Sequence, residues 1–351
     1  MKYILSHKAA VIWYMRHEFP RVRGERMSRA SVAGASAPDA PSVERLQWFL
    51  SLEGVRLDFL VDDSSKRRHL KNMITHVCTG GLPEGSLVSI PSCWDEIPLY
   101  VVSPELAFLQ VACGSTLQTA VYTGMALCSD YRIDALADGG VVRRAPSDRR
   151  PASVSSIGRF LDRAKGMKGV RPARRALRYV VEHALSPKES GLAMFYGLPC
   201  HYGGMHIGTV TLNPSVEVYA GRDMFGEVKT ETRYPDIMIS AFNTRTRYDV
   251  AFDYDADSTH GGDNKAAKDR RRANAIATVR NLVHFTLVTS DILDFDYLVL
   301  MGERARKVLK QRRKPSLNVS RDSVDGRKAL REYRERQIEL FDSFVRGVRD
   351  Y

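Results

Sequence analysis

Two runs of alternating side chains, at 236–240 and 248–255, constrain this chain more than any other feature. In an extended strand, successive side chains point to opposite faces. Asp236, Met238 and Ser240 therefore share one face of the first run, with Ile237 and Ile239 on the other. In the second run Asp249, Ala251, Asp253 and Asp255 lie opposite Tyr248, Val250, Phe252 and Tyr254. Asn243-Thr244-Arg245-Thr246 between them reads as a hairpin turn. Paired in that register, the strands turn an aromatic and apolar face to a core and gather Asp236, Asp253 and Asp255 on the other.

The stretch 234–260 carries five aspartates in a chain whose net charge is +12. Like charges on adjacent strands repel and raise one another's pKa unless something neutralises them. A divalent cation with oxygen ligands, Mg²⁺ by default, is the simplest neutraliser. Held there, it lowers the pKa of bound water and stabilises charge on a phosphodiester. The other reading is the solvated face of an antiparallel hairpin, which suits Asp249 and Asp257. Spacing alone leaves both open. A calcium loop beginning Asp253-x-Asp255-x-Asp257 is excluded, because its sixth position is Ser258 where Gly is needed and its twelfth is Asn264 where Glu is needed.

With 351 residues the chain has room for two or three domains, and 44% hydrophobic residues suffice for buried cores. A pI near 9.5 favours a polyanionic partner, nucleic acid ahead of a membrane surface. Cys78, Cys93, Cys113, Cys128 and Cys200 are odd in number, scattered and without a C-x-x-C pair. That argues against a disulfide framework or a zinc site and fits a reducing cytoplasm. The apolar run Ala9–Met15, hemmed by Lys8 and Arg16, is too short to span a membrane.

Along the chain, "LSHKAAVIWYMRHEF" reads as a helix capped at Ser6, and 29–42 as a loop. "VERLQWFL" follows as a short helix, with "GSLVSIPS" and "IPLYVVS" as strands. Ser103-Pro104-Glu105 opens helices running on towards 128, with proline at the first helical position. The Arg- and Pro-rich segment from 143 reads as a linker and then an amphipathic helix, Ala173 to Ala184 on its apolar side. The main boundary is expected near 150–165. Ser186-Pro187-Lys188-Glu189 repeats the capping device. "DNKAAKDRRRANAIATVRN" reads as a basic helix, "LVHFTLVTSDIL" as a buried strand, and the tail from 303 as basic helix.

Taken in order, these residues resemble the PD-(D/E)XK, restriction-endonuclease-like superfamily. The run 186–295 is similar to its very-short-patch-repair-like endonuclease branch, which often sits at the C-terminus of AbiEi-type antitoxin-like proteins. The residues carrying the likeness are Ser186 to Glu189, Asp236, Phe252-Asp253-Tyr254-Asp255, His260, "KDRRRANAI" and "VHFTLVTSDIL". "LSHKAAV", "VSPELAFLQVA" and "ALCSDYRID" resemble the upstream region of such proteins. Asp253 stands where the pattern usually has Glu, and Asp255 where the superfamily signature has lysine.

The resemblance implies an α/β protein: a mixed, mostly helical N-terminal region over 1–150, a candidate for binding DNA or a partner, and a basic linker and helix over 151–185. A restriction-endonuclease-like mixed sheet flanked by helices follows over 186–312, with Asp236, Asp253 and Asp255 along one edge; the basic helical tail over 313–351, read from its Lys/Arg surplus, lies outside the resemblance. The resemblance implies Mg²⁺ held by Asp236 and Asp253, with Asp255 as a third group and Glu189 closing the site. Without the resemblance, Glu189 reads equally as an exposed first-turn carboxylate favoured by the helix dipole. His260 is a candidate general base or phosphate contact. Lys265, Arg271 and Arg272 are candidates for the nucleic-acid backbone, and Asp269 for orienting the site. His201 and His206 read as structural loop histidines. The expected function is Mg²⁺-dependent phosphodiester hydrolysis on nucleic acid, DNA ahead of RNA; the alternative is a non-catalytic, antitoxin-like DNA-binding regulator with a cognate partner protein. No phosphate-cradling loop or nucleophile elbow is present.

Overall fold

The computed structural model describes residues 1–18, 31–90, 97–145, 148–255 and 279–347, with backbone alone for Asp138 and Asp255. The chain is α/β and divides into two compact units between Val180 and Val181.

In the first unit β1 (Tyr3–Leu5), wholly buried, lies at the centre of a five-stranded sheet. It runs antiparallel to β2 (Leu57–Val61) and parallel to β5 (Leu99–Val102). β3 (Met73–Val77) extends the sheet beyond β2 and β4 (Leu87–Ile90) beyond β5. Helix α1 (His7–Arg16) leaves β1 directly, with Ala9 to Met15 all buried. A helix α2 (Ala40–Phe49) starts at the Asp39 cap.

Helix α3 (Pro104–Gly114) starts as expected, with the Ser103 hydroxyl accepting the Leu106 N–H. Residues 104–109 are buried all round, as an apolar helix in a core must be. It packs against α1, α4 (Leu117–Leu127), α5 (Val154–Arg163) and α6 (Val170–Leu177). A two-stranded ribbon, β6 (Tyr131–Ile133) with β7 (Val141–Arg143), follows α4.

This packing moves the boundary from the expected 150–165. Ile157, Phe160 and Leu161 of α5 and Ala173 and Ala176 of α6 are buried within the first unit. Nor does the start of the Arg-rich segment behave as a linker. Arg144 is buried and donates to the Tyr14 and Tyr131 carbonyls and to Asp148. The helix expected to reach Ala184 stops at Leu177.

The second unit opens with α7 (Pro187–Gly197), capped by Ser186, and the strand β8 (Thr209–Leu212). A separate ribbon, β9 (Val216–Arg222) with β10 (Val228–Arg233), precedes β11 (Ile237–Asn243) and β12 (Thr246–Asp255). The sheet is completed by β13 (Leu282–Val288), in the order β13-β12-β11-β8. The first three strands in sequence are antiparallel, and β13 runs parallel to β12. A parallel pair needs a crossover of a dozen or more residues, which 256–281 supplies. The expected basic helix lies largely there, outside the described residues.

The turn between β11 and β12 is two residues long, with Thr244 at φ 55°. Ile237 faces Phe252, Met238 faces Ala251 and Ile239 faces Val250, the register that alternation predicts. Phe252 stacks on Tyr196 of α7 at 5.1 Å. The opposite face is not simply solvated: Ala251, fully buried, packs with Val218 of the ribbon and Leu282. After β13 come α8 (Thr289–Leu293), α9 (Phe295–Val308) and α10 (Val324–Phe341). Among the described residues no helix is long and apolar enough to cross a membrane.

Candidate functional site

Continuing the β11/β12 register one step beyond Ile237 and Phe252 brings Asp236 opposite Asp253. The two are locked by reciprocal bonds across the strands. The Asp236 N–H donates to Asp253 Oδ1 at 3.1 Å, and the Tyr254 N–H donates to Asp236 Oδ2 at 2.6 Å. They do not lie along a lateral edge of the sheet, as expected, but at one end of its two inner strands. The reason is that β13 and β8 add on either side of the hairpin.

A third strand reaches the same place. His284 is paired in register with Ala251 and shares the face of Asp253. Its Nε2 lies 3.0 Å from Asp253 Oδ2, with both side chains largely buried at 7% and 13% exposure. Both Asp253 oxygens therefore have nitrogen neighbours at hydrogen-bond distance. His284 was not singled out from the sequence, although carrying the two-residue period into "LVHFTLV" puts His284 and Thr286 together as polar side chains on one face.

Glu189 approaches from α7. It is 5% exposed, which overturns the exposed first-turn reading. Its N–H caps onto the Ser186 hydroxyl, which donates in return to Glu189 Oε1 at 3.0 Å. Oε2 accepts from the Leu185 N–H at 2.9 Å and from the Asn213 amide at 2.7 Å. Asn213, with φ 48°, ties this carboxyl to the sheet, because its own N–H donates to the Asp236 carbonyl at 3.0 Å. Burial pushes Glu189 up to about 7, and the negative charge of Asp236 adds to the rise against the lowering effect of the three donors. This carboxyl thus keeps its proton to higher pH than an ordinary glutamate, beside an aspartate pair.

Asp249 stands apart: Ser240 and Arg247 hold its Oδ1 at 2.5 and 2.9 Å on the outer part of the hairpin. Asp255 shares the backbone face of Asp253 on β12. Its side chain and the whole of His260, Lys265, Asp269, Arg271, Arg272 and Asp257 lie outside the described residues.

Among the described residues no group of three or more His, Cys, Asp or Glu side chains is arranged to hold a metal ion. The Asp236–Asp253 pair nevertheless offers carboxylate oxygens only, the donor chemistry that a hard cation such as Mg²⁺ takes and a soft one does not. On that chemistry the pair fits Mg²⁺. The arrangement holds both aspartates in fixed orientation beside a carboxyl whose burial favours its protonated form. No protein-family model, curated protein or solved structure matches the chain.

Proposed function

We propose that the second unit is a nuclease-fold domain of restriction-endonuclease type that acts on nucleic acid, DNA in the first instance, with Mg²⁺ held at Asp236 and Asp253 and Asp255 as the third group. The observation that carries this reading is the convergence of Glu189, Asp236 and Asp253. Glu189 comes from a helix and the two aspartates from the paired strands of one hairpin, in the order of the resembled pattern; Asn213 joins the Glu189 carboxyl to the Asp236 backbone, and Asp236 is bonded to Asp253. When bound, the cation supplies an activated water and a counter-charge for the phosphodiester. Asp253 is oriented by His284, Asp236 by the Tyr254 N–H, and Glu189 holds a proton next to them. Lys265, Arg271, Arg272 and His260 are assigned to the phosphate backbone and to proton transfer.

The test is Mg²⁺ calorimetry with plasmid nicking, on the intact protein and on Asp253→Ala. Binding and nicking that both vanish in the variant support catalysis at this pair. Absence of Mg²⁺ binding in the intact protein sinks it.

One observation favours a second reading, a DNA-binding regulator that keeps the fold without the chemistry. Both Asp253 oxygens are already engaged, by the Asp236 N–H and by His284. A regulator binds specific duplex sites with unchanged affinity in the presence of a chelator, which fluorescence anisotropy reads directly.

A further inference from the structure

Away from the aspartate pair, α9, α10 and the connection between them line, with Met205, an open cavity of about 490 Å³. Small-molecule sites run to roughly 300–1,000 Å³. Arg306, Lys307, Arg313, Lys314 and Arg321 line it against a single carboxylate, Glu303. That carboxylate is taken by Arg306 Nε at 3.3 Å. Among the described residues Lys307, Arg313, Lys314 and Arg321 have no carboxylate partner. Cations scattered on a convex surface are solvated and need no explanation, but several converging on one concavity repel each other, and an anion relieves that repulsion.

A second observation is independent of charge. Gln337 of α10 lines the same cavity, is 3% exposed, and its amide makes no side-chain hydrogen bond among the described residues. Its amide atoms face the cavity space and are open to the polar edge of a ligand. Arg306, 2% exposed, is held by the Met205 carbonyl at 2.6 Å, so the floor of the cavity is rigid. Met205, Val299, Leu330 and the Tyr333 ring supply the apolar part of the lining. Tyr333 is pinned by its hydroxyl donating to the Gly204 carbonyl at 3.1 Å. The positive field extends beyond the lining: burial first, then Lys314 and Arg306, lower the pKa of His206.

We infer that this cavity is a binding site for a phosphorylated small molecule of nucleotide size, with its phosphates on the Arg and Lys side chains, a polar edge on Gln337 and an apolar or aromatic portion against the apolar lining of Met205 and Leu330. The assignment uses no residue of the aspartate pair and stands whether or not that pair is catalytic. Concavity decides against the alternative: a duplex presents its phosphates along a convex ridge, one charge per roughly 1.7 Å of axis, which a concavity of this size does not follow.

The experiment is titration calorimetry of the full-length protein with inorganic pyrophosphate, ADP, adenosine and a short DNA duplex. It is repeated on the double variant Arg313→Ala/Lys314→Ala and on Gln337→Leu, each first shown to keep its circular dichroism and melting temperature. The expected result is one site for pyrophosphate and ADP, tighter for ADP, and none detected for adenosine. Loss of two charge-assisted contacts in the double variant weakens both anions by roughly tenfold or more. Gln337→Leu weakens ADP and leaves pyrophosphate nearly unchanged. No heat with either anion, or equal affinity in the double variant, overturns the proposal. So does a double variant that loses the duplex but keeps ADP, which would make these residues part of a nucleic-acid surface instead. If Gln337→Leu unfolds the protein, the double variant on the exposed connection still decides.

Discussion

His284 Nε2 stands 3.0 Å from Asp253 Oδ2 and ties β13 to β12 at the place where the hairpin aspartates meet. Removing the imidazole leaves a largely buried carboxylate short of a donor. His284→Ala is expected to cost about 1–3 kcal/mol of stability in the second unit. Hydrogen exchange on the peptide covering β12 reads it, and unchanged protection there would show that the contact contributes nothing. His284→Gln, which keeps a donor, should recover part of the loss.

Glu189 gives the second unit a pH signature. Its carboxyl is raised from 4.5 to about 7 in the folded chain, so the native state binds a proton that the unfolded state has released across that interval. Stability contributed by this group is present in full below about 4.5 and is lost as pH rises through about 7. The loss is of order 3 kcal/mol, at 1.36 kcal/mol per unit. Glu189→Gln should flatten the pH dependence of exchange in α7 over this window. An unaltered slope would mean that the carboxyl titrates normally. Added Mg²⁺, if it binds at Asp236, should bring the Glu189 midpoint down by cancelling the neighbouring charge, though burial, the larger cause, remains.

The first unit should show the opposite slope. His7 stacks on His76 with ring centres 3.5 Å apart, its N–H donates to Gln110, and Asp58 holds His76 Nε2 at 2.8 Å. Burial, followed by the His76 ring and opposed by Asp58, pushes His7 down from 6.5 to about 4. A depressed pKa stabilises the fold above the unfolded value, and that stability is lost as pH falls from about 6.5 through about 4. Trp13, Trp48 and Trp94 all precede residue 181, so tryptophan fluorescence follows this unit. His7→Gln should lower the acid midpoint of the fluorescence melt. A midpoint that stays put would remove His7 from the acid transition.

Gly191 separates packing from propensity. In an exposed helix interior, Gly→Ala is worth about 1 kcal/mol in the stabilising direction. On α7 the added Cβ would overlap the Phe344 carbonyl oxygen, a backbone atom that cannot swing aside. Gly191→Ala should therefore destabilise the second unit by about 1–3 kcal/mol, as overpacking does. A stabilised variant would show that α7 does not approach residue 344 this closely.

What the sequence determined by itself was local in origin. The two-residue period set the register of β11 and β12, because a slip of one residue would have turned Ile237, Ile239, Val250 and Phe252 away from the core. Ser103-Pro104 and Ser186-Pro187 marked two helix starts, because the cap and the fixed proline φ act within four residues. The tertiary structure alone decided the rest. Asn213 meets Glu189 across 24 residues and His284 meets Asp253 across 31, and no periodicity encodes a contact between elements whose side-by-side placement follows from the order of strands in a sheet. Burial follows the same rule. Glu189 has the sequence signature of a solvated first-turn acid, and Arg144 that of a linker cation. Each is enclosed because distant segments pack over it, and that enclosure gives Glu189 its raised pKa.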